Sequence, residues 1–421
     1  MATMVAGCAN PPPSGPVPAE AATIPKSDQV SFTTEQAIAF AIANNPQLRA
    51  ARRQIAVAQA KLKWSGKLDD PEFELGANTD QWGLNNNESV VEVAFSQKFP
   101  LTDRLQRARD LSEVDLALAK AEVRIAEWNL AGEVRLTAVD ALALERQVRL
   151  HRALRGVLAE LAEQIGNSFQ VAEASQIDLT EATLEVEAQT RVVRQHEAEL
   201  AVINGRLRGL LGRTPDSHVR IAGELADPIP FRISPSAEVL ARRPDLQLSL
   251  MQQSRAEAAI ELARSRRWQD VAVRLFLERE TAEDAPEGLE RNTFAGVGFS
   301  LPLPLRTPEA RLTDAPRQEL AAAQASTEAT SAEIRNEIAT TNEELERRRL
   351  TWTQASGQTL ELARRNIREV REAWRLGKEN FLRLQRAQER SLALEENAIE
   401  ALRDYHLALA KLHKAAALEP F

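Results

Sequence analysis

Apolar residues recur with two different spacings along the chain, and each spacing predicts one kind of element. In EFELGANT, SVVEVAFS, DVAVRLFLE and the segment around residue 299, apolar and polar residues alternate. This alternation predicts two β-hairpins, one in each half of the chain, with strands of about ten residues. The alternating apolar residues are Phe73, Leu75, Ala77, Val91, Val93 and Phe95 in the first half, and Val271, Val273, Leu275, Leu277, Val297, Phe299 and Leu301 in the second. A tilted membrane strand needs about this length, and a small half-buried sheet of a soluble domain is the alternative.

After Pro100 and again after Pro304 the spacing changes to that of an α-helix. The first half predicts a helix over about 103–166, a turn, and a second helix that ends near residue 211. The second half predicts a helix over about 307–376, a turn, and a helix that ends near residue 417. A helix of the first length is roughly 95 Å long, and it needs packing partners along its whole length.

Shorter elements precede each hairpin. Thr33 and Gln36 have capping-box spacing and predict one helix that continues through NNPQLRAARRQIAVAQAKLKW. Ser234 and Pro235 predict the equivalent start in the second half. Between the halves, HVRIA predicts a single strand within a turn-rich connector.

Several landmarks occur twice in the same order, about two hundred residues apart. The corresponding pairs are FSQKFPL at 95–101 and FSLPLPL at 299–305, Pro46 and Pro244, and Phe169-x-x-Ala172 and Trp374-x-x-Gly377. The chain is therefore a tandem duplication. It is predicted to consist of an N-terminal tether (1–30), a first repeat (31–215), a connector (216–234) and a second repeat (235–421). The predicted fold is mainly helical with a small β part.

Composition narrows the class of protein. The chain has 53 basic and 61 acidic residues, and the net charge of -8 argues against a nucleic-acid partner. No apolar run reaches the roughly 18 residues that a membrane-spanning helix needs. The single cysteine, Cys8, follows Val5-Ala6-Gly7 in a pattern that resembles a bacterial lipobox. We expect Cys8 to be lipidated in a precursor that starts upstream of Met1, with the Pro-rich segment after it as a spacer.

Residues for catalysis are not evident. The sequence contains no Walker loop, no dinucleotide-binding glycine pattern, no HExxH and no CxxC. The five histidines do not cluster in sequence, and His406 and His413, one heptad apart, are interpreted as solvated or barrel-facing rather than as a metal pair. We therefore expect no enzyme activity, no metal site and no cofactor.

The duplicated order of elements resembles the outer-membrane efflux protein family, the TolC-like channel-tunnels of Gram-negative bacteria. The resemblance covers residues 31–417, and GVGFSLPLPLRTPEA is most similar to the outer-membrane components of heavy-metal cation efflux systems of the cobalt-zinc-cadmium type. It implies a passive outer-membrane exit duct of a tripartite pump. A multidrug or type I secretion outlet of the same fold is the alternative cargo class, and a soluble coiled-coil scaffold or periplasmic adaptor is the alternative architecture.

The number of strands per chain indicates that several chains associate. Four strands per chain are fewer than the eight of the smallest closed membrane barrels, and lipid does not tolerate open strand edges. Two chains would give eight strands and three would give twelve, and the resemblance implies the homotrimer with an α-barrel and a shared β-barrel. Pro100 and Pro304 are expected where strand passes into helix. The resemblance also implies outer-membrane lipid, a periplasmic adaptor and an inner-membrane proton-driven pump as partners.

The resemblance extends to the helical turns. It implies that the adaptor docks on a tip formed by Phe169, Ala172, Ser175, Trp374, Leu376, Gly377 and Asn380. Ala172 stands where the family has glycine, so the two turns are expected to differ. The positions four and one residues before Ala182 and Ala387, the alanines that correspond in the two repeats, carry opposite charges, namely Asp178 and Glu181 against Arg383 and Arg386. These four residues are a candidate gate of inter-helix ion pairs, and ordinary surface charge is the alternative.

Overall fold

The computed structural model describes residues 29–79, 89–171, 174–284, 288–305 and 308–418. Its helices are α1 (Thr34–Asn44), α2 (Pro46–Trp64), α3 (Arg104–Gln170), α4 (Gln176–Leu210), α5 (Ala237–Arg242), α6 (Pro244–Ser265), α7 (Glu309–Ala355), α8 (Gln358–Arg375) and α9 (Phe381–Ala415). Its strands are β1 (Gln29–Phe32), β2 (Glu72–Thr79), β3 (Ser89–Phe99), β4 (His218–Ile221), β5 (Val271–Asp284) and β6 (Gly288–Ser300). In the part of the chain that the structure describes, no helix has both the length and the apolar character of a membrane span.

The predicted hairpins form one sheet. Strands β2, β3, β5 and β6 are adjacent in that order, and every pair is antiparallel. The register places Phe73 opposite Phe95, Phe95 opposite Leu275, and Leu275 opposite Val297. The apolar positions of the alternating pattern therefore lie in rows on one face, as side chains of a pleated sheet must when they are two residues apart.

A second, smaller sheet was not fully predicted. Strand β4 coincides with the predicted HVRIA segment, but its partner β1, which pairs with it in parallel, has only four residues, too few for their alternation of polar and apolar positions to be distinctive. The two strands and α1 pack with α3 and α4 in one cluster of buried residues. The cluster contains Phe32, Ala37, Ile38, Ala41, Ala131, Val134, Ala138, Ala141, Leu142, Leu207, Leu211, Val219 and Ile221.

The short helices correct two predictions. The helix predicted from Thr33 is two helices, because Asn45 has an extended ψ and its side chain caps Leu48 N of α2 while donating to Leu210 O. The capping box of Thr33 itself is confirmed. In the second half the cap is Ser236, not Ser234, and Pro235 lies outside the helix.

The two long hairpins differ in their first helix. Helix α3 has 67 residues and is about 100 Å long. The prediction of a single helix over 307–376 is wrong, because the structure has two helices there, α7 and α8, which are separated at Ser356 and Gly357. A Cβ at Gly357 would lie 2.8 Å from Thr353 O, so the close approach of the backbone at the break requires glycine.

Toward the turns, the long helices lie side by side. Helix α3 packs against α4 and α9, and α9 packs against α8. The resulting order α4, α3, α9, α8 leaves α4 and α8 at the two outer edges of the layer. The connector covers one face of this layer, where Tyr405 Oη donates to Ile229 O over 2.9 Å and Arg220 pairs with Glu145.

Candidate functional site

The apolar face of the four-stranded sheet is exposed. Phe73, Leu75 and Phe299 are 68%, 70% and 74% exposed, and the neighbouring apolar residues of the same rows are also open. A soluble protein rarely exposes a contiguous apolar surface of this extent. Of the two environments predicted for the hairpins, this exposure favours lipid over the half-buried sheet of a soluble domain.

The opposite face of the sheet is polar. Arg274 pairs with Glu74 at 3.0 Å and also with Glu92, and these three side chains come from three different strands. Phe276 covers Gly296 of the adjacent strand, so its ring lies on the sheet rather than projecting from it. Apolar residues on one face and paired charges on the other are typical of a membrane strand that separates lipid from water.

The sheet is open at both edges, and its two ends differ. Strands β2 and β6 have one neighbour each. The strand ends that lead from or into helices, Glu72, Phe99, Val271 and Ser300, lie at one end of the sheet, and Thr79, Ser89, Asp284 and Gly288 lie at the other. Pro100 directly follows β3, whereas β6 ends at Ser300, before Pro302, so that Pro304 lies inside the link to α7.

The ends of the four long helices meet in one apolar cluster. It comprises Leu161, Ile165, Ala182, Val370, Phe381, Leu384 and Ala387, with Ala162, Ala174, Leu179, Ile367 and Trp374 packed against it. Equivalent positions of the two repeats, such as Ala182 with Ala387 and Leu179 with Leu384, contribute together. The cluster therefore holds both turns at one height.

The predicted tip residues lie at these turns. Ser175 and Asn380 are the N-caps of α4 and α9, and each side chain accepts a hydrogen bond from the third residue of its helix. Gly377 has a φ of 70°, the left-handed conformation that glycine adopts without strain. Leu376 is 64% exposed and Phe169 is 38% exposed, which leaves apolar surface at the tip. Ala172 lies outside the described residues.

The candidate gate residues do not pair with one another within one chain. Asp178 accepts from Ser175 Oγ at 2.8 Å as part of its own capping box. Arg383 pairs with Glu379 at 2.9 Å on its own side of the turn. Within the described residues, no ion pair joins Asp178 or Glu181 to Arg383 or Arg386. One chain alone therefore does not form the inter-helix pairs, and the gate stays a prediction for the assembled protein.

A buried polar cluster in the second half of α3 joins the helical hairpins of the two repeats. His151 is 2% exposed and Gln189 of α4 is 6% exposed. Gln189 Nε2 lies 2.8 Å from His151 Nδ1, and Oε1 of Glu396 on α9 lies 2.9 Å from His151 Nε2. An amide nitrogen only donates, so Nδ1 accepts and the ring proton is on Nε2. The Nε2–Oε1 contact is not aligned as a hydrogen bond, so it is an electrostatic contact between α3 and α9.

A second histidine extends this cluster. The His196 ring stacks on His151 with a centroid distance of 4.7 Å, and its Nδ1 lies 3.1 Å from Glu199 Oε2. Burial, with a smaller effect of His196, lowers the pKa of His151, and burial raises the pKa of Glu396. Sequence reasoning missed this pair, although the two histidines are almost equally far from the turn between α3 and α4, as cross-hairpin neighbours must be.

The remaining candidate residues from the sequence are Cys8 and the two histidines near the C-terminal end of α9, His406 and His413. Cys8 lies outside the described residues. His406 and His413 pack against the connector instead of facing solvent, with His406 Nε2 at 2.8 Å from Ala226 O and the His413 ring against Phe231. Within the described ranges, no group of three or more His, Cys, Asp or Glu side chains is arranged to hold a metal ion.

Comparisons with known proteins agree with this geometry. The family described as outer membrane efflux protein matches residues 37–213 and 236–418, so each repeat is matched separately. The cobalt-zinc-cadmium resistance protein CzcC of Cupriavidus metallidurans is 22% identical over 286 residues, which cover 67% of this chain and 65% of the relative. The pyoverdine export outer membrane protein OpmQ of Pseudomonas putida is 26% identical over 258 residues, 55% of this chain and 53% of the relative. The matches thus span less than two thirds of either curated relative.

The fold is shared with solved structures. A structure of CusC, described in connection with folding and transmembrane channel formation, superposes with a TM-score of 0.69 at 14% identity and covers 92% of both chains. The mainly helical fold with a small sheet, predicted from the two spacings, is confirmed by this likeness. Since the family match covers most of both repeats, this chain is a member of the outer membrane efflux protein family and a protein of the outer membrane.

Proposed function

We propose that three copies of this chain close into the exit duct of a tripartite efflux pump, and that the exported cargo is a heavy-metal cation. The duct is a passive conduit without catalysis of its own. A periplasmic adaptor docks on the helical tips and connects the duct to an inner-membrane proton-driven pump. Lipidation of Cys8 is part of this proposal and adds an anchor to the membrane strands.

The exposed apolar face of the open sheet carries the proposal. Unpaired backbone groups at β2 and β6 are costly in lipid, so both edges need partners. Strands β2 and β6 run in opposite directions, because three antiparallel pairings separate them. Strand β6 of one copy therefore pairs with β2 of the next copy in the antiparallel sense already used within the chain. Three copies give twelve strands without an open edge.

The outer helices of the layer support the same head-to-tail ring. Every charged side chain over 176–190 of α4 is acidic, whereas α8 carries five arginines against three glutamates. Exposed apolar residues accompany these charges, with Ile177 on α4 and Leu362 on α8 exposed by 68% and 52%. An acidic edge and a basic edge on opposite sides of one protomer are complementary in a cyclic assembly.

Two relatives favour different cargo classes. Likeness to the cobalt-zinc-cadmium resistance protein supports a metal cation, and likeness to the pyoverdine export protein supports a small organic molecule as the second candidate. The test is deletion of the gene followed by complementation. We expect greater sensitivity to cobalt, zinc or cadmium, which the wild-type gene reverses and a variant unable to enter the membrane does not.

Unchanged metal tolerance with a loss of secreted small molecules would favour the second candidate. Unchanged tolerance and unchanged secretion, in a strain without a second outlet of this family, would overturn the exit-duct proposal.

A further inference from the structure

A basic and aromatic surface occurs at the same place in both repeats, where the helices end and the strands begin. In the first repeat it contains Lys61, Lys63, Trp64 and Lys67, and in the second it contains Arg266, Arg267 and Trp268. These seven residues, here named the junction collar, are all exposed. Trp64 is the last residue of α2, and Trp268 lies between α6 and β5.

Both tryptophans are exposed in the single chain. Trp64 is 66% exposed and Trp268 is 43% exposed, although tryptophan usually buries most of its surface. The Nζ atoms of Lys67 and Lys63 lie 4.0 Å and 5.5 Å from the centroid of the Trp64 ring. A tryptophan with cations at its edge is typical of a membrane–water boundary, where the ring meets acyl chains and the cations meet headgroups.

The cations of the junction collar have no acidic partner in the part of the chain that the structure describes. The nearby carboxylates are taken by other arginines, since Arg104 pairs with Asp270 and Asp69, and Arg264 pairs with Glu261 and Glu309. Asp70 adds one negative charge in the link between α2 and β2. Cations near the C-terminus of a helix also favour the helix dipole, but that effect does not require tryptophan at the same place in both repeats.

The junction collar rests on a fixed scaffold. Ser65 Oγ donates to Ala108 O over 2.8 Å, and Thr102 Oγ1 donates to Ser265 O over 2.7 Å, so both helix ends are tied to the start of α3 or its preceding turn. Gly66 has a φ of 71°, and a Cβ there would lie 2.6 Å from Leu105 O. The surface is therefore held at a defined place, in the links between the helices and the first strand of each hairpin.

We propose that the junction collar binds the anionic headgroups of phospholipids at the bilayer surface on the helical side of the sheet. The tryptophans lie at the level of the glycerol backbone, and the five cations contact the phosphates. Anionic lipid is favoured over zwitterionic lipid because each cation near the surface adds to the attraction. This inference rests on the proposed function, which places the sheet in the membrane.

The test uses the full-length assembled protein in nanodiscs of phosphatidylcholine and phosphatidylglycerol. Only one of the two lipids is brominated at a time, and quenching of tryptophan fluorescence reports which lipid lies at the rings. A variant with Trp64→Phe and Trp268→Phe supplies the background from the other tryptophans. At low salt we expect brominated phosphatidylglycerol to quench about threefold more than brominated phosphatidylcholine. Salt of about 0.5 M should reduce this ratio.

The collar variant replaces all five cations, and a control variant replaces five exposed cations on the long helices that also have no acidic partner within the described residues. The collar variant is K61Q, K63Q, K67Q, R266Q and R267Q, and the control variant is K120Q, R124Q, R155Q, R191Q and R194Q. We expect a quenching ratio near one for the collar variant and an unchanged ratio for the control. Variants of one repeat alone should each lose part of the ratio, and they keep the test decisive if the fivefold variant does not assemble.

The outcomes distinguish failure of the junction collar from failure of the proposed membrane placement of the sheet. Equal quenching by both lipids in the wild type, or a ratio that the collar variant retains, overturns the junction collar while the duct stands. A ratio that falls equally in the control variant also overturns it, since general charge then explains the preference. Absence of quenching by either lipid overturns the membrane placement of the sheet, and the junction collar with it.

Discussion

Gly377 holds the turn between α8 and α9 in a left-handed conformation, with no atom within contact distance of the position where a Cβ would lie. A side chain there meets no steric clash with its surroundings, so the cost of a substitution comes from the backbone, at about 1–2 kcal/mol for a residue that disfavours this φ. We expect Gly377→Val to distort the tip, leaving trimers intact while metal resistance is lost. Gly377→Asn is the matched control, because asparagine tolerates the left-handed region. Resistance that survives in an assembled Gly377→Val protein would place adaptor docking elsewhere.

We expect His151 to make the stability of the assembled helices depend on pH. Its pKa is lowered by burial, so the folded state binds fewer protons than the unfolded state around the ordinary value of about 6.5. Stability from this group is therefore present above that value and is lost as pH falls toward the lowered pKa. We expect the thermal midpoint of the wild type to fall between pH 7.5 and 5.5, and His151→Asn to fall less steeply.

Two other groups titrate in the same experiment. The raised pKa of Glu396 acts in the opposite direction at lower pH, and the lowered pKa of His406 acts in the same direction as His151. The difference in slope between His151→Asn and the wild type isolates the contribution of His151. His218→Asn, at an exposed position of β4, is the control that should leave the slope unchanged. Equal slopes in the wild type and His151→Asn would refute the proton linkage.

At the scale of elements, the two faces of the sheet are expected to respond differently to charge. Leu275 lies in the exposed apolar row, between Phe95 and Val297, and Leu275→Arg should cost about 2–4 kcal/mol if the row faces the centre of the bilayer. Glu278→Arg alters the polar face of the same strand and should be tolerated. Recovery of folded protein in the outer-membrane fraction measures both. Equal recovery of the two variants would argue against lipid contact at Leu275.

Some helices and strands could be predicted from sequence patterns alone, and others could not. The four strands of the large sheet were predictable because Phe73, Leu75 and their counterparts keep a strict period of two over lengths that no helix imitates. Strand β1 was not, since its four residues are paired by tertiary contact with β4 and have too little local signal. The break at Ser356 and Gly357 was hidden by helical spacing that continues on both sides of it. The contact of His151 with Glu396 depends on the packing of α3 against α9, which one sequence does not reveal.

At the scale of the whole molecule, the ion pairs of the candidate gate can form only between neighbouring protomers. The acidic α4 and the basic turn of the second hairpin do not pair within one chain, so ion pairs of Glu181 with Arg386 require the ring. Exposed pairs contribute only about 0–1 kcal/mol each, but three symmetric copies bias a two-state tip by a few kcal/mol. We expect Arg386→Glu to raise the conductance of the closed duct in planar bilayers and the addition of Glu181→Arg to lower it again.

Arg390→Glu changes the same charge one turn further from the tip and serves as the control for this exchange. The double exchange avoids Asp178, whose carboxylate is needed for its capping box. Unchanged conductance in Arg386→Glu would refute the candidate gate. An equal rise in Arg390→Glu would show that general electrostatics, rather than a specific ion pair, controls the conductance.

The break between α7 and α8 has a consequence for the symmetry of the closed ring. In the proposed trimer the two repeats of each chain form six similar units around one axis, and six identical units would have the same stiffness at any one level. In the described residues α3 is continuous through the corresponding level, whereas the second repeat is interrupted at Ser356 and Gly357. Stiff and bendable units therefore alternate around the axis at this level. An opening that forms by bending of these units would have threefold rather than sixfold symmetry, so that its outline would be a triangle rather than a hexagon.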